Sequence, residues 1–331
     1  MTQPAPNPNR RALLALGGAG LAAGVAACAR SAGGGSLSDL TLRIAAFKGG
    51  VETFLKAAGE DRTPYRLQVA EFASGNLITE AIIAGAIDLG YMSEIPPIFV
   101  AASRPPIRLI AVQKGDVNSQ VVLVPKGSTI SDPAQLKGRR IGYVRATTSQ
   151  FLLLRLLAEH GLTFADITPI ALSPQDGRSA FERGSLDAWV AYGAQAQAVR
   201  GTVGARVLAT GLGRLSGNYV FAAAEAALKD PVRRSAILDY LKRARRTYAW
   251  TEAHPEDWAR LASAATGVPA ALYAQQRRER SAPTTLAPVD AAAIASQQSV
   301  ADTFAKARVL PAHVDVTPLW DPSLNADLKT P

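Results

Sequence analysis

Four short stretches of this chain combine small residues with hydroxyl, amide, carboxylate or cationic groups: Lys48-Gly49-Gly50, Ser74-Gly75-Asn76, Thr147-Thr148-Ser149 and the 173–176 segment that ends in Asp176. Each stands where a strand-like segment gives way to a helix-like one. Glycine lets a ligand approach the backbone closely. Ser, Thr and Asn offer side-chain donors, and the free N–H groups and dipole of a helix N-terminus favour negative charge. Any one of these stretches is also an ordinary helix cap. Four of them together suit a pocket for a small anion.

Catalytic machinery is not legible. The sequence holds no Gly-x-Ser-x-Gly elbow and no phosphate-binding loop. It has one cysteine and three histidines (His160, His254, His313) set far apart, which excludes a disulfide framework and a cysteine-based zinc cluster. Glu71 and Glu94 could in principle pair as acid and base, but nothing nearby would orient them, so they read as solvated or capping carboxylates. Asp187 lies on an apolar strand and reads as an acid that bonds backbone at a strand end.

The elements that must hold these junctions alternate. Strand patterns fall at 40–45, 65–69, 87–91, 107–112, 120–124, 140–144, 167–172, 186–190 and 206–209. Helical patterns follow at 51–58, 77–85, 151–160 and 179–181, with Gly85, Gly138 and Gly161 as stops. From Tyr219 onward the pattern is almost wholly helical, with segments near 231–252, 255–265, 269–278 and 288–307. Strands alternating with helices argue for parallel sheets covered on both faces. Because the alternation occurs twice, before and after about residue 120, the chain reads as two α/β lobes with a cleft between them.

Residues 1–27 read as a secretory signal: Arg10-Arg11, then a 16-residue apolar run from Ala12 to Ala27 that is too short to span a bilayer comfortably. Val25-Ala26-Ala27-Cys28 has the form of a bacterial lipobox, so Cys28 is the expected lipidation site and residues 28–38, with Gly33-Gly34-Gly35, a tether. Export is thus expected to the periplasm or the outer face of the cell membrane, with the membrane touched only through that anchor. The net charge is +9, yet no nucleic-acid motif accompanies it. The densest basic run, Lys242-Arg243-Ala244-Arg245-Arg246, reads as the polar face of an amphipathic helix.

Between Val69 and Phe99 the chain runs Val-Ala-Glu-Phe-Ala-Ser-Gly, then Ala-Gly-Ala-Ile-Asp-Leu-Gly, then Pro-Pro-Ile-Phe. With Val122-Leu123-Val124-Pro125-Lys126, Leu136-Lys137-Gly138-Arg139-Arg140-Ile141, Phe181-Glu182-Arg183-Gly184-Ser185-Leu186-Asp187-Ala188-Trp189 and Ala301-Asp302-Thr303-Phe304, this resembles the aliphatic sulfonate-binding proteins of ABC importers from about Leu42 to Trp320. The resemblance implies a type II periplasmic-binding fold: two Rossmann-like lobes, 39–120 plus 220–331 and 121–219, joined by crossing hinge strands near 119–124 and 218–222, that close on a ligand. It implies a monomer that hands a small organosulfur anion to a permease and its ATPase, with no cofactor, metal or turnover. It places Lys48, Gly49, Ser74, Gly75, Thr147, Thr148 and Ser149 on pocket loops, and Glu94 where an Asp is usual. The family commonly continues Asp187-Ala188-Trp189 with Trp and then Asp-Pro, whereas Tyr192-Gly193-Ala194-Gln195 stands here. In this picture Lys48 or Arg178 would be a counter-charge, and Trp189, Tyr192 and Tyr143 would line the apolar end. The alternatives are another ligand on the same fold (nitrate, taurine, a pyrimidine precursor), or an enzyme or sensor built on it.

Overall fold

The computed structural model describes residues 36–329. Among the described residues, eleven strands form two sheets. In chain order they are β1 (Thr41–Ala46), β2 (Arg66–Glu71), β3 (Leu89–Ser93), β4 (Ile107–Lys114), β5 (Val121–Val124), β6 (Arg140–Tyr143), β7 (Thr168–Ala171), β8 (Ala188–Ala191), β9 (Arg206–Thr210), β10 (Asn218–Ala224) and β11 (Thr285–Ala287). The first sheet has the order β11-β4-β10-β3-β1-β2 and the second β7-β6-β8-β5-β9. The chain changes sheet twice, between Lys114 and Val121 and again between Thr210 and Asn218.

Each sheet pairs its βα-type strands in parallel, β2-β1-β3 in one and β7-β6-β8 in the other. Each also receives antiparallel strands at the crossings: β10 lies between β3 and β4, and β5 between β8 and β9. Parallel strands run their C-terminal ends to one edge, so β1, β3, β6 and β8 deliver their following loops to the cleft between the sheets. The crossings lie side by side. The Gly115 N–H donates to Gly217 O at 3.1 Å, and the Gly211 N–H to Gln120 O at 2.8 Å. Gly217 has φ +76°, and a Cβ there would meet Gly115 O at 2.8 Å, so this position requires glycine.

β10 corrects the expectation of helix from Tyr219 onward. Asn218-Tyr219-Val220-Phe221-Ala222-Ala223-Ala224 ends in alanines that favour helix locally, but it is a central strand hydrogen-bonded on both sides and buried almost throughout. Tertiary pairing outweighs propensity here. β11, three residues at a sheet edge, is too short to carry a pattern. The helix expected at 51–58 is a single 3₁₀ turn, Val51–Thr53, followed by turns that bury Phe54 and Leu55. The C-terminal helices Pro231–Ala253, Pro255–Thr266, Ala270–Glu279 and Ala291–Lys306 lie close to their expected bounds. The basic run sits on the first of them in ion pairs: Arg246 grips Glu60 at 2.6 Å and Arg243 bonds Asp239 at 2.7 Å, while Ala244 faces the core. No described helix is long and apolar enough to cross a membrane.

The largest apolar core wraps the first sheet and includes Phe151, which reaches it from the second lobe's Thr148–Glu159 helix. Phe151 meets Phe304 edge-on at 5.3 Å. A separate cluster joins Phe54, Val268 and Tyr273 to Ala198 of the Gly193–Thr202 helix, with Leu272 set against Gly201. The two lobes therefore touch on both flanks of the cleft.

Candidate ligand cleft

Between those contacts lies a cavity of about 20 Å³, lined by Glu94, Gln120, Thr148, Phe151, Ser216, Asn218 and Tyr219 among others. That is room for about one water, so the cavity as it stands holds no ligand of several heavy atoms. The floor comes from the crossings themselves. Gln120 ends one and donates from Nε2 to the Tyr219 hydroxyl at 2.5 Å. Thr148, in the first turn of the Thr148–Glu159 helix, donates from Oγ1 to Gln120 Oε1 at 2.8 Å. Burial pushes the Tyr219 phenol up to about 12, so it is a neutral hydroxyl at physiological pH. This row offers hydroxyl and amide groups beside a helix N-terminus, a combination that receives an anion without a formal positive charge.

Glu94 faces the same cavity from the end of β3. Its Oε1 accepts from Ser216 Oγ at 2.6 Å and Ser296 Oγ at 3.0 Å, its Oε2 from Asn218 Nδ2 at 3.4 Å, and its backbone oxygen from Gln297 Nε2 at 2.7 Å. Burial pushes the carboxyl pKa up, against the pull of the Ser216, Ser296 and Asn218 donors.

Of the residues singled out in the sequence, Glu94 and Thr148 meet at this cavity. The neighbours of Thr148 are occupied in holding the loop. Thr147 caps the helix through the Ser149 N–H and donates to Val144 O, while Ser149 donates to Val190 O at 2.7 Å and accepts from the Val144 N–H. Tyr192 is half-buried as the N-cap of the Gly193–Thr202 helix, with its hydroxyl oxygen fully enclosed. Its hydroxyl feels the Thr147 side chain yet completes no hydrogen bond of good geometry, and Gln195 Oε1 and Asn76 Oδ1 are likewise buried without a partner. Buried polar atoms in that condition call for explanation, and these three stand at the N-terminal turns of the helices that follow β8 and β2.

The remaining residues sit elsewhere. Gly49, at φ +77°, turns the Phe47–Gly50 loop against Thr266, and Lys48 on that turn makes no ion pair among the described residues. Ser74 and Gly75 open the Gly75–Ile83 helix, with Gly75 packed on Met92 and Pro96. Asp176 exchanges bonds with Ser173, its cap partner. Arg178, read in the sequence as an alternative counter-charge to Lys48, pairs with Glu182 at 2.9 Å one helical turn along. Trp189, expected to line the apolar end, is instead 1% exposed in the second lobe's core, tilted against Phe181, with its Nε1 over Gly177. Tyr143 packs edge-on against Phe164. Gln120, Ser216, Asn218 and Tyr219 line this cavity without being singled out in the sequence reading, although the segments that carry three of them are read there as crossing between lobes. The available signal was positional: a strand that crosses between lobes runs along the cleft floor.

Two sheets joined by paired crossings, with a polar cavity between them, define a two-lobed solute-binding protein. Residues 66–258 match the model of the NMT1/THI5-like family. A protein of Escherichia coli strain K12, named for binding aliphatic sulfonates, is 34% identical over 86% of this chain and 90% of its own. The crystal structure of the periplasmic aliphatic sulphonate binding protein of Escherichia coli superposes with a TM-score of 0.75 at 32% identity, covering 86% of this chain and 92% of that one. The alkanesulfonate-binding protein of Xanthomonas axonopodis pv. citri, solved bound to MOPS, gives 0.77 at 30% identity, covering 85% and 98%. The chain belongs to the NMT1/THI5-like family, on the periplasmic-binding fold of the sulfonate-binding proteins. These relatives are binding proteins rather than enzymes, in line with the expectation of binding without turnover.

Proposed function

We propose that this protein is the extracytoplasmic receptor of an ABC importer, which captures a sulfonate or related organosulfur anion between its lobes and delivers it to a permease coupled to an ATPase. The observation that carries the reading is the row Thr148–Gln120–Tyr219, neutral donors at a helix N-terminus on the seam where the lobes meet. A sulfonate keeps its charge at any physiological pH and spreads it over three oxygens, so a set of hydroxyl and amide donors matches it better than one cation does. Asn76, Tyr192 and Gln195, whose buried polar atoms lack partners, are the further residues we assign to the ligand once the lobes close around it. The names of the relatives support both the substrate class and a periplasmic site of action.

Export through the 1–27 segment and lipid anchoring at Cys28 belong to the same proposal; both lie outside the described residues. Mass spectrometry of the protein from its membrane fraction, before and after Cys28→Ala, tests the anchor.

A thermal-shift panel of alkanesulfonates of graded length, taurine, sulfate esters, aromatic sulfonates, nitrate and pyrimidines tests the ligand class. A ligand at about a hundredfold excess over its Kd adds roughly 2.7 kcal/mol to the native state. The expected result is a shift with sulfonates and none with nitrate or pyrimidines. A shift with nitrate or pyrimidines alone overturns the substrate class.

A further inference from the structure

The cavity meant for an anion contains a carboxylate. Among the described residues that line it there is no Lys or Arg, and Glu94 is the sole acid. Arg214, on the nearby crossing, is already paired with Glu159 at 2.6 Å. A plain sulfonate drawn into this water-poor space would face Glu94 with no cation between them, and like charges in a shared site oppose one another. Three donors nevertheless point at Glu94, from Ser216, Ser296 and Asn218, and hydrogen bonds to the charged form favour that form. Its two oxygens are also unequally used. Oε1 accepts two short bonds from hydroxyls, whereas Oε2 has only the Asn218 amide at 3.4 Å. A carboxylate oxygen accepts two bonds, so Oε2 retains room for a donor from the ligand.

Building on the sulfonate reading above, we propose that Glu94 determines specificity: Oε2 receives the ammonium of a zwitterionic aminosulfonate, whose sulfonate end lies toward Thr148 and Gln120. A ligand with its own positive charge meets the carboxylate with attraction, and a plain alkanesulfonate brings nothing to offset it. The opposite arrangement, a protonated Glu94 donating to the sulfonate, would make no distinction between the two ligands.

The test compares 2-aminoethanesulfonate with propane-1-sulfonate, which share chain length and differ only in replacing the ammonium by a methyl. Titration of the wild-type protein is expected to favour the amino ligand by tenfold or more. Glu94→Gln is expected to abolish the preference from both sides, weakening the amino ligand and, with the opposing charge gone, tightening propane-1-sulfonate, and Glu94→Asp to keep part of it. Equal affinity of the wild type for both ligands overturns the proposal. So does an equal loss of both in Glu94→Gln, which would make the side chain a structural tie between β10 and the Ala291–Lys306 helix; in either case the sulfonate reading stands. Binding of neither ligand overturns both. If Glu94→Gln does not fold, the wild-type ratio and Glu94→Asp decide.

Discussion

The two lobes fasten their parallel strands with the same clasp and surround it differently. In the first, Asp88 Oδ2 accepts from the Arg43 N–H at 2.9 Å and Nε at 3.0 Å, and Arg43 also reaches Gly85 O. In the second, Asp187 Oδ2 accepts from the Arg140 N–H at 2.8 Å and Nε at 3.2 Å, and Arg140 reaches Gly184 O. Sequence carries the parallel, Gly85-Ala86-Ile87-Asp88 against Gly184-Ser185-Leu186-Asp187. The surroundings diverge because the C-terminal helices pack on the first lobe. Arg233, from the Pro231–Ala253 helix, adds a second guanidinium to Asp88 at 3.0 Å, and the Asp88 side chain is 2% exposed against 28% for Asp187. One lobe is thus a braced body, and the other is a lighter one that meets it at the cavity through Thr148 and on the two flanks through Phe151 and Ala198.

The largest effect expected from that difference is on stability. Asp88→Ala strands two guanidinia and a backbone N–H and should cost about 3 kcal/mol in denaturant unfolding. Asp187→Ala should cost less than half as much, and equal losses would break the comparison. At the crossing, Gly217→Ala forces a side chain into φ +76° against Gly115 O and should cost about 2 kcal/mol by the same measurement. Within the lighter lobe, Thr148→Val should weaken sulfonate binding about tenfold, or about 1.4 kcal/mol. Arg178→Ala, on a helix face where its partner is Glu182, should leave Kd within twofold.

Acidity sharpens the contrast further. The Arg140 hydrogen bond holds the Asp187 carboxyl below its usual range. Its contribution is therefore present above the ordinary carboxylate pKa and is lost as pH falls through the lowered value. Glu94 works with the opposite sign. Burial raises its pKa, so its contribution is complete below the unfolded value of about 4.3 and declines as pH rises through the folded one. Melting curves across pH should show Glu94→Gln flattening that decline and Asp187→Asn flattening the acid limb.

Much of this frame was legible in the chain. The twofold strand–helix alternation, the Asp187 clasp and the C-terminal helices follow from patterns a few residues long, because hydrophobic period and cap chemistry are local. β10 was not legible from the residues alone, since three alanines say helix until β3 and β4 claim the segment from both sides. The site was legible only in part for the same reason. Thr148 announces itself at a strand-to-helix junction, whereas Glu94, read from the residues as a solvated or capping carboxylate and placed in the pocket only by the family resemblance, is 2% exposed; the partners that complete the cavity, Gln120 and Tyr219, become polar neighbours only because two distant crossings lie together. Trp189 is the converse: aromatic and next to the departure at Tyr192, it is drawn inward by Phe181 and the space above Gly177.

The most direct test of the account is a calorimetric titration of the purified protein with the two sulfonates, repeated on Thr148→Val. The account predicts one saturable site per chain in the wild type and about tenfold weaker binding in the variant, with no change in its melting temperature large enough to explain the loss. No saturable heat with either sulfonate, or identical titrations of the two proteins, would contradict it.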